Sequence, residues 1–343
     1  MLLSAFAWGA LPLAGGQSSV FLGGSSLRAR PTASATSRLG TRRTALVASV
    51  FFSSGGKQVS VTGGTGFVGR RLVRRLVDDG NRVTLLTRRP ERAMRLFGRQ
   101  VDTLLFDAAS ASTAPEPQLV QLMGRSDAVV NLAGEPLATG RWTPQRKEQL
   151  LRSRTHGTHK LVRAIQAANK KPAVLVSTSA VGYYGTSEVA EFDESSPPGG
   201  HDFLSQVATE WERAAEGAGV RTVINRFGIV LGPGGGALHR LIPLYNLFVG
   251  GPVGTGQQWV SWIHLEDVVQ LICTELGNTS FAGVYNATSP HPGALPRVLR
   301  CAGAGARSAQ LAAGARICRR GAPGRGGAAG AERTAGVTEA DAG

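Results

Sequence analysis

Residues 59–69, VSVTGGTGFVG, join a short apolar run to a helical pattern through glycines. Gly63, Gly66 and Gly69 form G-x-x-G-x-x-G between a predicted strand and a predicted helix, the setting in which such a pattern is meaningful. The first permits a tight turn, the second lets a pyrophosphate approach the backbone, and the third lets the helix pack on the strand. The stretch therefore predicts a dinucleotide site at a helix N-terminus, whereas a glycine turn that holds nothing is the alternative. The predicted contacts are Gly63, Thr65, Gly66, Phe67, Val68 and Gly69.

The end of the second predicted strand indicates which dinucleotide is bound. Residues 85–92 read LLTRRPER, with Arg88 and Arg89 where the strand ends and no acidic residue at that point. An acidic side chain there would bind the ribose 2′-OH of NAD, whereas arginine accommodates the 2′-phosphate of NADP. The pair therefore predicts NADP(H). A solvated basic loop is the alternative, because Arg92 and Arg95 continue the charge.

Strands and helices alternate over residues 57–290, which indicates an α/β fold with a Rossmann-like, doubly wound parallel sheet. The predicted strands are KQVSVTGG (57–64), RVTLLTR (82–88), DTLLFD (102–107), DAVVNLAG (127–134), AVLVSTSA (173–180) and RTVINRFGIVLG (221–232). The predicted helices are FVGRRLVRRLVDDG (67–80), TPQRKEQLLRSRTHGTHKLVRAIQAA (143–168) and DFLSQVATEWERAAEGAG (202–219).

Residues 1–56 have the composition of an organelle transit peptide. They are rich in Ser, Thr, Ala, Gly and Arg, and the first acidic residue of the chain is Asp78. The apolar start resembles a secretory signal, and a signal-like part followed by a transit-like part favours a plastid reached through the secretory route. A mitochondrial address and a disordered or wrongly assigned N-terminus are the alternatives.

Residues 291–343 differ in composition from the region before them. They contain no Phe, Trp or Tyr and consist mainly of Ala, Gly, Arg and Pro, so disorder is expected. The abrupt change resembles a GC-rich reading frame translated out of phase; an RGG-like tail that binds nucleic acid is the alternative. Most of the net charge of +15 lies in the two ends of the chain, and residues 58–290 carry only +4. The charge of the folded region therefore gives no reason to expect that it binds nucleic acid.

The cysteines are Cys273, Cys301 and Cys318, without CxxC or Cys/His ligand spacing. We therefore expect neither a metal site nor a disulfide framework. No apolar run approaches the roughly 20 residues that a membrane span needs.

The motifs TGGTGFVG, VVNLAGEP, STSAVGYYG, NRFGIVLGPGGGAL, WIHLEDVV and YNATSP occur in this order. With them the chain resembles the extended short-chain dehydrogenases/reductases, and more narrowly the atypical SulA-type, nucleoside-diphosphate-sugar epimerase-like family. The resemblance covers about residues 57–290. It implies a small carboxyl-terminal substrate lobe, which the composition after residue 290 leaves incomplete.

The resemblance also implies further cofactor contacts. Asp107 would face the adenine, and Arg154 matches a cofactor-contacting position, with a surface helix charge as the alternative. The loops after the fourth and sixth strands would pass along the dinucleotide. Those loop residues are Leu132, Ala133, Gly134, Gly228, Ile229 and Val230.

The departure from the family pattern concerns catalysis. Short-chain reductases carry a Tyr and, four residues later, a Lys on the helix after the fifth strand, and this chain has Phe203 and Val207 there. Ser179, Tyr183 and Tyr184 are therefore the candidate catalytic residues, with packing or pocket lining as the alternative for the tyrosines. A catalytic tyrosine would need a neighbouring cation, for which the candidates are Lys147, Arg154 and Arg226. His264 is interpreted as a structural anchor rather than a catalytic group.

Two functions of the folded region remain open from the sequence, besides nucleic-acid binding by residues 291–343. One is an NADP(H)-dependent oxidoreductase or epimerase that acts on an unknown small metabolite or sugar nucleotide. The other is a non-catalytic NADPH-binding protein that assists plastid division or assembly. The substrate and the oligomeric state do not follow from the residues.

Overall fold

A computed structural model describes residues 56–110, 116–187, 190–200, 202–239, 259–290 and 293–294. Nearly all of the predicted leader and tail lies outside these residues, so both assignments stay predictions. Among the described helices, none is long and apolar enough to cross a membrane.

The described chain alternates strands and helices. The strands are β1 (Gln58–Thr62), β2 (Arg82–Thr87), β3 (Val101–Leu105), β4 (Ala128–Asn131), β5 (Val174–Ala180), β6 (Arg221–Phe227), β7 (Ile229–Leu231), β8 (Trp259–Val260), β9 (Trp262–His264), β10 (Gly283–Ala287) and β11 (Gly293–Ala294). The helices are α1 (Phe67–Asp78), α2 (Pro90–Phe97), α3 (Pro117–Arg125), α4 (Pro144–Ala167), α5 (Phe203–Glu216) and α6 (Leu265–Gly277).

Seven strands form one parallel sheet in the order β10-β6-β5-β4-β1-β2-β3. This order confirms the predicted doubly wound fold. Since β4 and β2 flank β1 on opposite sides, the strand order reverses at β1, and ligands of such sheets bind beyond the carboxyl ends of the strands at this point. The pairing of Thr62 with Asn131 brings the ends of β1 and β4 to the same level.

The inner strands β1, β2, β4 and β5 are buried on both faces because helices cover both sides of the sheet. Alternate residues of β4 belong to different core clusters: Ala128 and Val130 pack with α1 and α6, and Val129 packs with α3 and α4. In the same way Val174 and Val176 of β5 lie on one face. The sheet therefore forms the rigid floor on which the loops at its carboxyl edge stand.

The structure corrects one predicted strand and adds elements that the sequence reading missed. Residues 221–232 are two strands, because the chain leaves the main sheet at Gly228. The N–H of Gly228 donates to Ala287 O at 3.1 Å, and the next N–H donates to Ser261 O at 2.8 Å. The strand β7 therefore pairs with β9 in a separate two-stranded sheet. The elements not predicted are α2, α3, α6, β8, β9, β10 and β11.

Glu275 on α6 gives a pH-dependent prediction for stability. It is fully buried, Asn225 Nδ2 donates to its Oε2 at 2.8 Å, and burial raises its pKa to about 8. Because the folded-state pKa lies above the unfolded one, stability from this group is complete below about pH 4.5 and is lost as the pH rises to about 8. The free energy of unfolding of Glu275→Gln, measured in urea and compared with that of the wild type, should therefore rise by about 3 kcal/mol from pH 5 to pH 8.

The control for this prediction is Glu216→Gln, which changes an exposed glutamate on α5. Its stability should stay within about 0.5 kcal/mol of the wild type at both pH values. If the free energies of unfolding of Glu275→Gln and the wild type changed equally between pH 5 and pH 8, Glu275 would not titrate in this range.

Candidate functional site

The glycine turn between β1 and α1 is held by close backbone contacts. A Cβ on Gly63, whose φ is +67°, would lie 2.4 Å from Leu132 O, and a Cβ on Gly69 would lie 2.3 Å from Gly63 O. The N–H of Gly66 donates to Gly63 O at 2.9 Å. Side chains at the first and third glycines would therefore drive the turn away from the β4 loop and from its own helix.

The N-terminus of α1 is open toward the turn. Its N-cap is Gly66, no side chain caps the helix, and the first turn holds no acidic residue. The N–H groups of this turn are therefore available for an anion, and the partial positive charge of the helix end favours phosphate.

Thr62 joins the ends of β1 and β4. Its Oγ1 donates to Asn131 Oδ1 at 2.8 Å and accepts from the N–H groups of Leu132 and Ala133, both at 3.1 Å. Asn131 Nδ2 in turn donates to Thr158 Oγ1 at 2.9 Å. These buried bonds hold the β4 loop against the glycine turn. The sequence reading missed Thr62 and Asn131, although a polar residue ending an apolar strand is a visible signal.

A small pocket of about 180 Å³ lies on the β2–β3 side of the turn. It contains Gly63, Thr65 and Gly66 of the predicted turn, and Arg88 at the end of β2. Its walls include Gly63, Thr65, Gly66, Leu86, Thr87, Arg88, Phe106, Ala108, Ala109, Leu132, Ala133, Gly134, Glu135 and Ser153.

Arg88 reaches across the end of β1. Its Nη2 lies 2.7 Å from Oε1 of Glu135 in the β4 loop, and Arg146 Nη1 lies 3.4 Å from Oε2 of the same carboxylate. Burial alone raises the pKa of Glu135, but hydrogen bonds and charge from Arg88 and then Arg146 outweigh it and lower that pKa. Glu135 is thus an anion held between two guanidinium groups, and the sequence reading missed it.

Asp107 and Arg89 are among the predicted cofactor residues that lie outside the walls of this pocket. Asp107 sits between wall residues, but its Oδ1 accepts from the N–H of Ala109 at 3.0 Å, and its carbonyl accepts from the Nζ of buried Lys160 at 3.1 Å. Arg89 is exposed at the start of α2. For both residues, a role in binding stays a prediction.

A large cavity of about 580 Å³ lies on the β4–β6 side of the turn. Gly134 and Glu135 line both cavities, so an extended ligand can pass from one to the other there. The large cavity is lined by Phe67, Val68, Gly134, Glu135, Pro136, Leu137, Ala138, Arg154, Ala180, Val181, Gly182, Leu204, Val207, Ala208, Trp211, Phe227, Gly228, Ile229, Val230, Gly236 and Ala237.

Arg154 is a buried cation in the wall of this cavity, not a surface charge. It is 8% exposed, and its guanidinium lies 5.2 Å from the Trp211 ring centre. It donates to the carbonyls of Leu150 and Glu135, both at 3.0 Å, and burial lowers its pKa to about 10. A Cβ on Gly134 would lie 3.1 Å from its Cζ, so the guanidinium lies directly against the β4 loop.

The candidate catalytic residues gather around Arg226. Ser179 Oγ donates to Glu212 Oε1 at 2.5 Å, and Arg226 Nη2 lies 2.8 Å from Glu212 Oε2. The Arg226 guanidinium also stacks on the ring of Tyr183, 3.5 Å from its centre, and donates to the hydroxyl of Tyr184 at 2.8 Å. Arg226 is therefore the cation beside both tyrosines.

None of the three candidates lines the large cavity, and Tyr184 has its hydroxyl engaged. That hydroxyl donates to Asn286 Oδ1 at 2.7 Å, and burial raises the pKa of Tyr184 more than Arg226 lowers it. The cavity wall beside them is the backbone turn of Ala180, Val181 and Gly182. A catalytic role for Ser179, Tyr183 and Tyr184 stays a prediction, and their placement suits residues that hold this turn.

The helix that carries the Tyr/Lys pair in reductases has a different surface here. Phe203 packs edge-on against Trp142 with ring centres 5.7 Å apart, and Lys147 Nζ lies 5.2 Å from its ring centre. Val207 lies in the cavity wall. His264 caps α6, since its Nδ1 accepts from the N–H of Glu266 at 3.2 Å. Its interpretation as an anchor of the substrate lobe stays a prediction.

This sheet order, the glycine turn and the two connected cavities define a dinucleotide-binding α/β protein. The model of the NAD dependent epimerase/dehydratase family matches residues 59–287, and the chain belongs to this family. The family resemblance found in the sequence is therefore confirmed.

Individual relatives agree with this assignment. The chain is 47% identical over 238 residues to the epimerase family protein SDR39U1 homolog, chloroplastic, of Arabidopsis thaliana, which covers 68% of this chain and 66% of that protein. It is 40% identical over 237 residues to epimerase family protein YfhF of Bacillus subtilis, covering 68% of this chain and 75% of that one. The crystal structure of human epimerase family protein SDR39U1 with NADPH is 37% identical, with a TM-score of 0.58, and the match covers 68% of this chain and 75% of that one.

Proposed function

We propose that the chain binds NADPH across the carboxyl edge of the sheet and acts as an oxidoreductase or epimerase-like enzyme on a small molecule. The observation that carries the proposal is the uncapped N-terminus of α1, with Arg88 at the end of the neighbouring strand. The human relative crystallised with NADPH supports it.

The residues of the groove fit such a cofactor. The N–H groups of the α1 turn would hold the pyrophosphate, and Gly66 offers no side chain in its way. Arg88, with its side chain 58% exposed, is free to turn from Glu135 toward a 2′-phosphate. The end of β2 carries no carboxylate that would repel that phosphate. Arg154 lies where the two cavities meet and adds positive charge near the centre of the groove.

NADPH supplies a hydride when it is bound. The chain itself would place the acceptor in the large cavity, where Val181, Phe227 and Val230 exclude water beside the turn that follows β5. Exclusion of water strengthens electrostatic interactions in the site and prevents loss of reactive species.

A non-catalytic NADPH-binding protein is the second candidate. It is favoured by the described wall of the large cavity, where the position of the usual Lys is taken by Val207 and no Tyr is present. The two candidates differ in one measurement. An enzyme consumes NADPH when its substrate is added, whereas a binding protein holds NADPH unchanged.

The cofactor assignment predicts the behaviour of Arg88→Ala/Arg89→Ala. Loss of one hydrogen bond to a charged group costs about 1.5–3 kcal/mol, so the double variant should bind NADPH at least about 10- to 100-fold more weakly. NADH, which lacks the 2′-phosphate, should bind as it does to the wild type. Titration of the full chain, followed by nicotinamide fluorescence, gives both dissociation constants.

The matched control is Arg92→Ala/Arg95→Ala, which removes the same charge from exposed positions on the neighbouring helix α2. It should leave NADPH binding within about twofold, because it alters only the screened long-range field. An equal loss in both double variants would mean that general basic charge, not a specific phosphate contact, attracts the cofactor. No binding of NADPH by the folded wild type would refute the proposed function.

We also propose plastid localisation, with residues 1–56 as the leader and residues 57–290 as the cofactor-binding domain. This localisation is supported by the absence of acidic residues from residues 1–56 and by the chloroplastic relative from Arabidopsis thaliana.

A further inference from the structure

The described wall of the large cavity is apolar on several sides. Leu204, Val207 and Trp211 face it from α5, Leu137 follows β4, and Phe227 ends β6. The indole N–H of Trp211 is turned away, since it donates to Thr158 Oγ1 at 3.0 Å. Even the aromatic residue with a polar atom therefore presents only carbon to a ligand.

The two charged residues in the described wall are engaged by the protein. The Glu135 carboxylate lies between Arg88 and Arg146. The Arg154 guanidinium donates to two carbonyls and lies against Gly134, on the side where the cavities join. Both charges therefore belong to the cofactor end of the cavity, not to its apolar interior.

Such a wall discriminates against sugar nucleotides. A buried hydroxyl without a partner costs about 1–3 kcal/mol, and a hexose carries several. A volume of about 580 Å³ is large enough for a nicotinamide ring together with a second ring system. The wall therefore favours a ligand with few hydroxyls and no charge.

The shortage of proton donors in the described cavity wall further limits the class of substrate. Within the described part of the cavity wall there is no Ser, Thr, Tyr, Lys, His, Cys or Asp side chain. The carboxyl of Glu135 has its pKa lowered, burial being outweighed by Arg88 and Arg146, so it is a poor acid. An unactivated ketone needs a proton on its oxygen as hydride arrives, and loss of such an acid costs a factor of about 10²–10⁴. A quinone-like conjugated acceptor does not need this proton, because the negative charge left after hydride transfer is delocalised over the conjugated system.

We infer that the substrate of the proposed NADPH site is an apolar, uncharged, conjugated carbonyl compound of the quinone class. In the reaction the hydride leaves NADPH with two electrons and adds to the quinone, which is reduced while NADPH is oxidised to NADP⁺. The resulting phenolate takes one proton from water, which gives the hydroquinone. The inference rests on the proposed function and adds the substrate class.

The test compares three compounds on the full chain: 1,4-naphthoquinone, β-tetralone, which has the same bicyclic skeleton with one carbonyl that is not conjugated to the ring, and UDP-glucose. NADPH fluorescence first establishes that the cofactor is bound. Equilibrium dialysis of the NADP⁺-loaded chain then measures retention of each compound, and NADPH absorbance measures turnover above a protein-free blank. We expect the two bicyclic compounds to be retained and UDP-glucose not, with the quinone reduced at least about 100-fold faster than the tetralone.

Each other result contradicts a defined part of the inference. Retention of UDP-glucose overturns the apolar class, and reduction of tetralone as fast as quinone overturns the proton argument. A chain that holds NADPH but neither retains nor reduces the quinone overturns the substrate class alone. A chain that does not hold NADPH removes the proposed function as well.

A cavity variant tests where the quinone binds. Leu204→Ser places a hydroxyl on a half-buried wall position and should raise the KM for the quinone several-fold, with NADPH affinity unchanged. Gln206→Ser, exposed on the same helix, should change neither. Equal KM values for Leu204→Ser and the wild type would place the quinone outside this cavity.

Discussion

Gly63→Ala is expected to abolish measurable NADPH binding and to lower the free energy of unfolding by more than about 2 kcal/mol. Alanine at φ +67° costs about 1–2 kcal/mol in the left-handed region. In addition, its Cβ would lie 2.4 Å from Leu132 O and 2.6 Å from Leu132 C. The N–H groups on both sides of this carbonyl, those of Leu132 and Ala133, donate to Thr62 Oγ1. The β4 loop or the glycine turn therefore has to shift, and either shift distorts the cofactor groove.

Gly98→Ala is the matched control for this variant. Gly98 follows α2 with φ +60°, and a Cβ there would meet nothing within 4 Å. With ψ at −137° the position is outside the left-handed α region, so the variant should lose about 1–3 kcal/mol from backbone strain alone and bind NADPH as the wild type does. Urea unfolding and nicotinamide fluorescence on both variants separate backbone strain from the clash. If the two variants lost the same stability and the same affinity, the contact between Gly63 and Leu132 would not matter.

The fold was predictable because its signals are local. The glycine turn, the apolar strands and the Arg88–Arg89 pair each occupy a few consecutive residues. The two elements that flank the glycine turn, β1 and α1, are where the sequence predicts them. The strand β10 was missed since GVYNA is short, and it becomes a strand by pairing with β6 at the sheet edge. The break at Gly228 was missed because the carbonyl that pairs with the next residue, Ser261 O, lies more than 30 residues further along the chain, between β8 and β9.

The candidate site was predictable only where binding depends on backbone shape. The glycines and the β4 loop lie where the pattern places them. The engagement of Glu135 with Arg88 joins residues 47 apart, and the contact of Ser179 with Glu212 joins residues 33 apart. A local sequence pattern cannot predict that Arg226 pairs with Glu212 instead of activating a tyrosine in the cavity. Side-chain pairing at this distance depends on the finished packing.

Glu212→Gln should lower the free energy of unfolding by about 3–5 kcal/mol. Arg226 and Glu212 are only 3% and 6% exposed in their side chains, and removal of one partner leaves an uncompensated buried charge. Burial lowers the pKa of Arg226, but the hydrogen bond and charge of Glu212 outweigh that and raise it. A guanidinium does not lose its proton in proteins, so without Glu212 it remains a buried cation that lacks its partner. Urea unfolding at neutral pH measures the loss.

The control is Glu210→Gln, two residues earlier on α5, where an exposed glutamate pairs with Arg213. That pair should contribute no more than about 1 kcal/mol. An equally small effect of Glu212→Gln would show that the buried pair is not needed to hold the fold.

The double variant Glu212→Leu/Arg226→Met tests whether the pair acts by charge or by shape. Replacement of a buried ion pair by apolar residues of similar size is often neutral, so the double variant should recover much of the stability lost in Glu212→Gln. It also removes the bonds to Ser179 and Tyr184, and with them the support of the turn at Val181 and Gly182. NADPH affinity should then stay near that of the wild type while the cavity wall loosens, because the glycine turn and Arg88 are unchanged. A loss of NADPH binding in this stable variant would instead place the Arg226 cluster in the cofactor site.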